Sequence, residues 1–250
     1  DILMSLNKYY NNFHENGYTI VKKLLTKSDT LLLLQEIETI KKKVSVKKQQ
    51  YFHKTKDGKF NTIHNIQEFI KKGKIINLTK NKKLIRIINR LLLDKSYMRN
   101  LEFFLKPKKT GLASPFHQDN FYWNIIDAKA LNVWIALSKS NKSNGGICYL
   151  KGSQKLGTIN HELSFMKGSS QKIEDEVLKK LNFTKIFPSL NVGDCIIHHP
   201  NIIHGSKKNL SNNDRIGVAV SYAAKNSKTD LIKLTRYKKR LKENIKKIYK

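Results

Sequence analysis

The sequence has few of the residues that mark disulfide-rich, exported or membrane-spanning proteins. Only two of its 250 residues are cysteine and four are proline. Cys148 and Cys195 are each flanked by apolar residues, which is typical of buried thiols and not of a disulfide framework. No apolar run approaches the roughly 18 residues that span a bilayer, and the opening stretch DILMSLNKYYNNF is too polar for a signal peptide. We therefore expect a cytoplasmic protein without a membrane span.

Acidic residues are also scarce. The chain has 19 Asp and Glu against 49 Lys and Arg, a formal net charge of +30. Such an excess can hold phosphates or another anionic partner. However, most of it is lysine spread over the whole chain, and it accompanies much isoleucine and asparagine, which share A/T-rich codons with lysine. Codon bias and a selected anionic partner therefore both remain as explanations.

Length and composition predict one globular domain over 1–250, since 39% of the residues are hydrophobic. The N-terminal part, 1–95, is expected to be largely helical, with a short strand in NGYTIVKKLLT. A helix is predicted in KSDTLLLLQEIETIKKKV, with Ser28 or Asp29 as its N-cap. A second is predicted in NKKLIRIINRLLLD, where apolar residues recur at helical spacing: Leu84, Ile87, Ile88, Leu91 and Leu92.

From about residue 97 the pattern changes to short strand-like runs separated by Gly, Asn, Ser and Pro. These runs are YMRNLEFFLK, LNVWIALS, GGICYLKGS, GDCIIHHP, NIIHGS and RIGVAVSYAAK. They favour a mainly β fold with flanking helices, with a jelly-roll core at about 97–225. SSQKIEDEVLKKLNF predicts an inserted helix, and a basic amphipathic helix is expected at about 229–250.

The candidate chemistry begins in SPFHQDNFYW, where His117 and Asp119 are one residue apart. Alternate residues of a strand project to the same face, so both side chains could reach one point above a sheet. A salt-bridged pair, a catalytic dyad and two of three metal ligands all fit this pattern.

Two later residues strengthen the metal interpretation. His204 ends an apolar strand-like run and precedes a glycine, which permits close approach of a ligand. Two histidines and one carboxylate form the facial triad of non-haem Fe(II) oxygenases, which leaves coordination positions open. Arg215 opens another apolar strand, where a dicarboxylate bound at the metal could pair with it bidentately.

With these residues the sequence resembles the phytanoyl-CoA dioxygenase family of Fe(II)- and 2-oxoglutarate-dependent oxygenases. That family has an H-x-D pair, a distal histidine followed by Gly-Ser, and an arginine about ten residues later. Here they are FHQD, HGS and DRIG. Further matching stretches are KP at 106–107, VWIAL around Trp134, and NGGICYLKGSQKLG at 144–157.

The resemblance implies a double-stranded β-helix of cupin type that uses Fe(II), 2-oxoglutarate and O2. It assigns His117, Asp119 and His204 to the metal. It also implies that Arg215 and Ser206 bind the distal carboxylate of 2-oxoglutarate, and that Trp134 and Gln118 lie near this co-substrate. Because Asp119 is retained where halogenating relatives have a small residue, hydroxylation is the preferred reaction.

Asn120, Tyr122 and Trp123 follow the metal motif closely and are candidates for the substrate pocket, and His161 in GTINHE is a further candidate that could overhang the site. Packing explains the two aromatic residues equally well. Lys151 and Gln154 depart from the family pattern, in a loop that bears on substrate preference. His198 and His199 are expected to pack or to support the ligands, and His64 is expected at the surface or in a loop.

The leading hypothesis is thus a 2-oxoglutarate-dependent dioxygenase that hydroxylates a small molecule and releases succinate and CO2. The lysine excess makes an anionic substrate an option. A non-catalytic jelly-roll protein that binds a metal or ligand is one alternative. A basic nucleic-acid-binding protein is the other, but no helix-turn-helix, zinc or RNP motif supports specific recognition. The sequence predicts neither the substrate nor the oligomeric state.

Overall fold

The computed structural model describes residues 2–44, 51–166 and 169–248. The helices are α1 Ile2–Asn16, α2 Lys27–Val44, α3 Ile66–Phe69, α4 Lys74–Leu78, α5 Lys82–Leu92, α6 Asp119–Trp123, α7 Asp175–Lys180 and α8 Leu231–Ile248. The strands are β1 Tyr18–Val21, β2 Phe52–Lys54, β3 Phe60–Ile63, β4 Ser96–Lys106, β5 Ser114–His117, β6 Ala130–Ala136, β7 Ile147–Leu150, β8 Glu162–Met166, β9 Ser169–Lys172, β10 Lys185–Ile186, β11 Cys195–His198, β12 His204–Ser206 and β13 Arg215–Ala224.

Two antiparallel sheets form the body of the protein. The larger has seven strands in the order β1-β11-β6-β13-β4-β3-β2, and the smaller has four in the order β10-β7-β12-β5. Strands β8 and β9 form a separate hairpin. The fold class is thus confirmed as mainly β with flanking helices. Each of the six strand-like runs contains a strand of one of the two sheets.

The larger sheet separates a hydrophobic core from a polar cavity. On β4, Leu101, Phe103 and Leu105 are buried in a core shared with residues of α2, α4 and α5. The alternate residues of the strand, such as Glu102 and Lys106, face a cavity. This is the two-residue period of a strand with different environments on its two faces.

The predicted N-terminal helices form, and one cap differs from the prediction. All five apolar residues predicted to line one face of α5 are buried, and Asn81 accepts a hydrogen bond from Leu84 N–H at 3.0 Å. For α2 the cap is Thr26 instead of Ser28 or Asp29. The Thr26 hydroxyl accepts from Asp29 N–H at 3.1 Å, and the Asp29 carboxylate accepts from Thr26 N–H at 3.2 Å. This reciprocal pair is a capping box, in which the acid follows the cap by three residues.

The N-terminal part is not a separate helical layer, because it contributes strands to the larger sheet. Strand β1 pairs with β11, and β3 pairs with β4. The excursion between β7 and β11 contains the β8–β9 hairpin before the short α7. Among the described residues, no helix is long and apolar enough to cross a membrane. Both cysteines are buried and unpaired, as predicted.

Candidate active site

A cavity of about 620 Å³ lies on the inner face of the larger sheet. Its walls include residues of β4, β6 and β13 from that sheet and of β5 and β12 from the smaller one. Ser169 and Ser170 of the β8–β9 hairpin and Leu241 of α8 also line it. Tyr237 of α8 packs edge-on against Phe121 and Tyr122, with ring centroids 6.2 and 5.7 Å apart. The C-terminal helix thus covers the cavity.

Three potential metal ligands meet at this cavity. His117 ends β5, Asp119 begins α6, and His204 begins β12, where it pairs directly with His117. Ligand atoms of the three residues lie within 4.8 Å of one another, and Asp119 Oδ1 is 3.7 Å from Nε2 of each histidine. Bonds of about 2.1 Å place adjacent ligands of an octahedral ion about 3 Å apart, so a small inward movement closes the set.

The local backbone explains why His117 and Asp119 converge. The prediction placed both residues on one strand, whereas the structure ends the strand at His117 and starts a helix at Asp119. Gln118 between them is still extended, with φ −122° and ψ 131°. One extended residue is sufficient to turn its two neighbours to the same side.

Both histidines present a lone pair to the metal position. His117 Nδ1–H donates to Pro115 O at 2.8 Å, and His204 Nδ1–H donates to Ile202 O at 3.0 Å. Since a carbonyl oxygen only accepts, these bonds fix the proton on Nδ1 and leave Nε2 free to bind a metal. Burial lowers the pKa of His204 well below its ordinary value, which keeps the imidazole neutral. The donor set therefore fits a divalent iron ion.

The second oxygen of Asp119 is held by neighbouring side chains. His198 Nε2 lies 3.0 Å from Oδ2, and Asn132 Nδ2 donates to the same oxygen at 3.1 Å. Tyr149 Oη lies 2.9 Å from Nδ1 of His198. Burial alone raises the pKa of Asp119, but the effects of His204 and His198 outweigh it and hold that pKa below its ordinary value. The carboxylate is thus kept ionised, with Oδ1 towards the histidines.

Next to the triad lies a pocket for an anion. Arg215 is 2% exposed, and its Nε and Nη1 have no hydrogen-bond partner. Its guanidinium lies 5.0 Å from the centroid of the Trp134 ring, and Trp134 Nε1 is also unpaired. Burial lowers the pKa of Arg215 to about 10. Two buried groups with unused N–H donors require an acceptor, which a carboxylate ligand supplies.

Lys106 is a site residue that sequence reasoning did not assign, although its KP stretch had been noted. Its Nζ donates to Ser206 Oγ and to Lys207 O, each at 2.6 Å. Burial, with a smaller effect of Arg215, lowers the pKa of Lys106 well below its ordinary value. Lys106 and Arg215 are paired residues of β4 and β13. The two cations and Ser206 therefore line one end of the cavity together.

The other predicted residues divide into two groups. Tyr122 and Trp123 line the cavity, whereas Gln118, Asn120 and His161 lie outside its lining. Gln118 is fully buried, and its side-chain amide donates to Gly157 O and Asn201 O. The amide of Asn120 donates to Ile125 O and Thr158 Oγ1, and His161 Nε2 accepts from Gln118 N–H at 2.9 Å. These three side chains brace loops, because their polar atoms are used within the protein.

His64 lies in the loop that follows β3, which agrees with the prediction of a surface or loop position. It lines the cavity, and its Nδ1 lies 2.6 Å from Glu102 Oε1. Glu102 was not singled out either, since in sequence it is one charged residue within an apolar strand. The alternation of EFFLK was the available signal, because it turns Glu102 to the same face as Lys106.

Comparisons with known proteins match most of the chain to one family. A family model described as phytanoyl-CoA dioxygenase matches residues 13–217. A probable phytanoyl-CoA dioxygenase of Caenorhabditis elegans is 23% identical over 84% of this chain and 73% of its own length. The human peroxisomal phytanoyl-CoA dioxygenase is 21% identical over 85% of this chain and 66% of its own length. The chain thus spans about two thirds of the human protein.

Solved structures share the fold. The crystal structure of EctD from S. alaskensis with 2-oxoglutarate and 5-hydroxyectoine aligns with a TM-score of 0.72 at 18% identity. The alignment covers 87% of this chain and 75% of EctD. Such neighbours have a cupin-type jelly roll, which agrees with the predicted core.

Proposed function

Because the chain belongs to the phytanoyl-CoA dioxygenase family, we propose that it hydroxylates a small-molecule substrate and releases succinate and CO2. Family membership and the His-Asp-His cluster identify it as a 2-oxoglutarate-dependent oxygenase, with Fe(II) as cofactor and 2-oxoglutarate and O2 as co-substrates. The observation that carries the proposal is the meeting of His117, Asp119 and His204 in a cavity that also contains the unpaired donors of Arg215.

Iron would be held by Nε2 of His117, Nε2 of His204 and Oδ1 of Asp119. When bound, iron would supply the activation of O2, and the electrons that reduce O2 come from the oxidative decarboxylation of 2-oxoglutarate and from the substrate C–H bond. The residues of this chain supply the rest. Asp119 offsets part of the ion's charge, and the carbonyls behind the two histidines hold the imidazoles in the tautomer that can coordinate.

Arg215, Lys106 and Ser206 would bind the distal carboxylate of 2-oxoglutarate. Arg215 offers a planar pair of donors, and Lys106 adds a second positive charge at the same end of the cavity. Both cations are buried, so their attraction for an anion is screened less than at a surface. Trp134 would form the wall beside the co-substrate, where its ring already packs on the guanidinium.

The covering elements would keep water from the reacting centre. Tyr237 of α8 lies against the aromatic residues that follow the metal motif, and its hydroxyl is 3.5 Å from Ser170 Oγ in the β8–β9 hairpin. A dry cavity protects a reactive intermediate from side reactions and strengthens the electrostatic interactions inside it. We place this chemistry in the cytoplasm, on the evidence of two reduced, buried thiols.

The test is an anaerobic titration of the protein with Fe(II) and 2-oxoglutarate, followed by visible absorption. We expect a weak charge-transfer band from the iron chelate. Asp119→Ala should abolish the band through loss of the metal. Arg215→Ala should raise the 2-oxoglutarate concentration for half-saturation at least about 100-fold, because two charge-assisted hydrogen bonds are lost.

Arg86→Ala is the matched control, since Arg86 is exposed on α5 and remote from the cavity lining. It should leave the band unchanged. A parent protein that retains no Fe(II) and gives no band would contradict the proposal and favour a non-catalytic binding protein. If the parent protein gives no band and binds DNA with a steep salt dependence, the nucleic-acid alternative is favoured.

A further inference from the structure

The charges that line the cavity differ from those of the chain as a whole. Among the described residues, Lys106 and Arg215 are the only Lys or Arg side chains on its wall, and Asp119 and Glu102 are the only carboxylates. The cavity wall is thus formally balanced in a protein of net charge +30. Arg99 is not among the lining residues, and its guanidinium lies 4.8 Å from the centroid of the Trp123 ring.

Three of these four charges are already accounted for. Lys106 and Arg215 lie at the co-substrate end, and Asp119 is a metal ligand. Among the described residues of the wall, Glu102 is therefore the charged group left for the substrate, and its charge is negative. The lysine excess of the sequence allowed an anionic substrate, but the described residues of this wall provide no further Lys or Arg to bind one.

Glu102 is paired with His64 in a defined geometry, and we call these two residues the Glu102–His64 pair. His64 Nδ1 is 2.6 Å from Glu102 Oε1, while His64 Nε2 is buried without a partner. The ring of His53 packs edge-on against His64 at 5.2 Å. The two side chains of the pair are 18% and 23% exposed, although this chain has many Lys and Arg that could cover an acid. The carboxylate is thus held in place by an imidazole and not by a Lys or Arg of the described cavity wall.

The register of the sheet places the Glu102–His64 pair at a useful distance from the metal ligands. Glu102 lies opposite Ala219, which lies opposite Trp134 on β6. The neighbouring residue of β6 on the same face, Asn132, donates to Asp119. Two strand spacings of about 4.8 Å separate β4 from β6, so the backbone of Glu102 lies roughly 10 Å across the sheet from that of Trp134. A small molecule anchored at Glu102 can therefore present a C–H bond near the metal ligands.

We propose that Glu102 is the substrate-anchoring carboxylate, that His64 is its positioning residue, and that the substrate is a small molecule with a basic nitrogen. This inference rests on the oxygenase function proposed above and adds the substrate class. A protonated amine bound at Glu102 gains a charge-assisted hydrogen bond in a partly dehydrated site. Carboxylates and the phosphates of acyl-CoA thioesters carry the same negative charge as Glu102, so they are repelled at this position.

The protein contains its own reporter of cavity occupancy. The chain has two tryptophans, and both Trp123 and Trp134 line the cavity. Their fluorescence can be recorded anaerobically on protein loaded with Fe(II) and 2-oxoglutarate while a probe is added. The probes are cyclohexylamine and piperidine, their neutral or anionic counterparts cyclohexanol and cyclohexanecarboxylate, and palmitoyl-CoA. We expect saturable binding of the amines and weaker or absent binding of the other three.

Variants then locate the interaction. Glu102→Gln keeps the shape of the side chain and should weaken amine binding at least about tenfold, with cyclohexanol unaffected. Glu102→Asp should retain the preference for amines over cyclohexanecarboxylate. His64→Gln should weaken amine binding less than Glu102→Gln does, since it frees the carboxylate without removing it. Glu176→Gln, at an exposed residue of α7, is the matched control and should match the parent.

The 2-oxoglutarate charge-transfer band of the same samples separates the two proposals. A parent protein that lacks the band refutes the oxygenase function itself. If the band is present, tighter binding of cyclohexanecarboxylate or palmitoyl-CoA than of the amines overturns the assignment of substrate class. Equal amine binding by the parent and by Glu102→Gln also overturns this assignment. The absence of amine binding by the parent overturns it as well.

Discussion

At the scale of single residues, the protons around Asp119 are fixed by a chain of hydrogen bonds. Because the ionised Asp119 carboxylate only accepts, His198 Nε2 carries a proton and donates to Oδ2. Burial raises the pKa of Tyr149 well above its ordinary value, so its hydroxyl keeps its proton, and that hydroxyl shares a hydrogen bond of 2.9 Å with His198 Nδ1. The carboxylate is consequently turned so that only Oδ1 is available to a metal, and His198 acts by positioning this ligand.

Replacement of His198 tests this arrangement. We expect His198→Phe to weaken Fe(II) binding about 10- to 100-fold, the usual effect of losing a partner of a metal ligand. Tyr149→Phe should have a smaller effect in the same direction. Fe(II) affinity is measured anaerobically by competition with a chelator.

The control for the loss of a buried tyrosine hydroxyl is Tyr222→Phe. The Tyr222 hydroxyl donates to Thr79 O at 2.8 Å, outside the cavity lining. This variant should lose stability and keep its iron affinity. Parent-like affinity in His198→Phe would show that Asn132 alone orients the carboxylate.

The residue scale also shows what a sequence can predict about a site. His117, Asp119, His204 and Arg215 were predicted because motif spacing and the placement of charges in apolar strands are visible in the sequence. The His198 contact was foreseen only as a general supporting role, since two adjacent histidines cannot be told apart until β11 pairs with β6. Glu102 of β4 meets His64 in the loop just after β3, and no local pattern marks such a pairing.

At the scale of elements, β13 and β6 together shape the co-substrate end of the cavity. Gly217 of β13 pairs with Ala136 of β6, and the indole of Trp134 lies over Gly217 where a side chain would otherwise stand. Trp134 in turn packs against Arg215, at the start of the same strand. The glycine is thus required by close packing, since β13 is extended there.

Gly217→Ala should therefore displace Trp134 and disturb Arg215. A Cβ at this position overlaps the indole ring, so we expect the 2-oxoglutarate affinity to fall at least about tenfold and the tryptophan emission to shift. Titration with 2-oxoglutarate, followed by fluorescence and by the visible band, measures both. Gly58→Ala is the control for the general cost of the substitution: its Cβ meets nothing within 4 Å, and the backbone strain at its φ of +78° should lower stability without changing the 2-oxoglutarate affinity. Unchanged affinity in Gly217→Ala would mean that Trp134 can move without effect on the co-substrate.

Elements with a strong period were predicted well, and short ones were not. The five apolar positions of α5 and the alternation of β4 appear directly in the sequence. Each element has 11 residues, so the helical period and the two-residue period of the strand are both repeated often enough to be recognised. Strand β2 has three residues and α6 has five, too few to show a period. The β8–β9 hairpin is polar, SSQK in its second strand, so its pairing depends on tertiary contacts.

At the scale of the whole molecule, buried histidines link stability to pH. Burial lowers the pKa of His161 to about 4 and that of His199 to about 4, from an ordinary value near 6.5. Between these values the unfolded chain takes up protons that the folded protein does not accept. Falling pH therefore favours the unfolded state across this window, and the stabilisation is fully present above it.

We expect the metal-free protein to lose stability between about pH 6.5 and pH 4. Each histidine contributes up to roughly 1.4 kcal/mol per pH unit, so the free energy of unfolding should fall by a few kcal/mol. Denaturant unfolding at several pH values measures this. His199→Gln should remove the contribution of one histidine, so the free energy of unfolding should fall less steeply with decreasing pH. A free energy of unfolding that is constant over this range would contradict the burial of both imidazoles.

The order of strands in the larger sheet also has a consequence for synthesis. Strand β13, the last in sequence, lies between β6 and β4, and β12 joins β5 to β7 in the smaller sheet. A nascent chain on the ribosome therefore cannot assemble the metal-binding histidines or the arginine pocket until these late strands emerge. Unfinished chains would lack the means to hold reactive iron, so the topology itself delays oxygen chemistry until translation has passed the last strand.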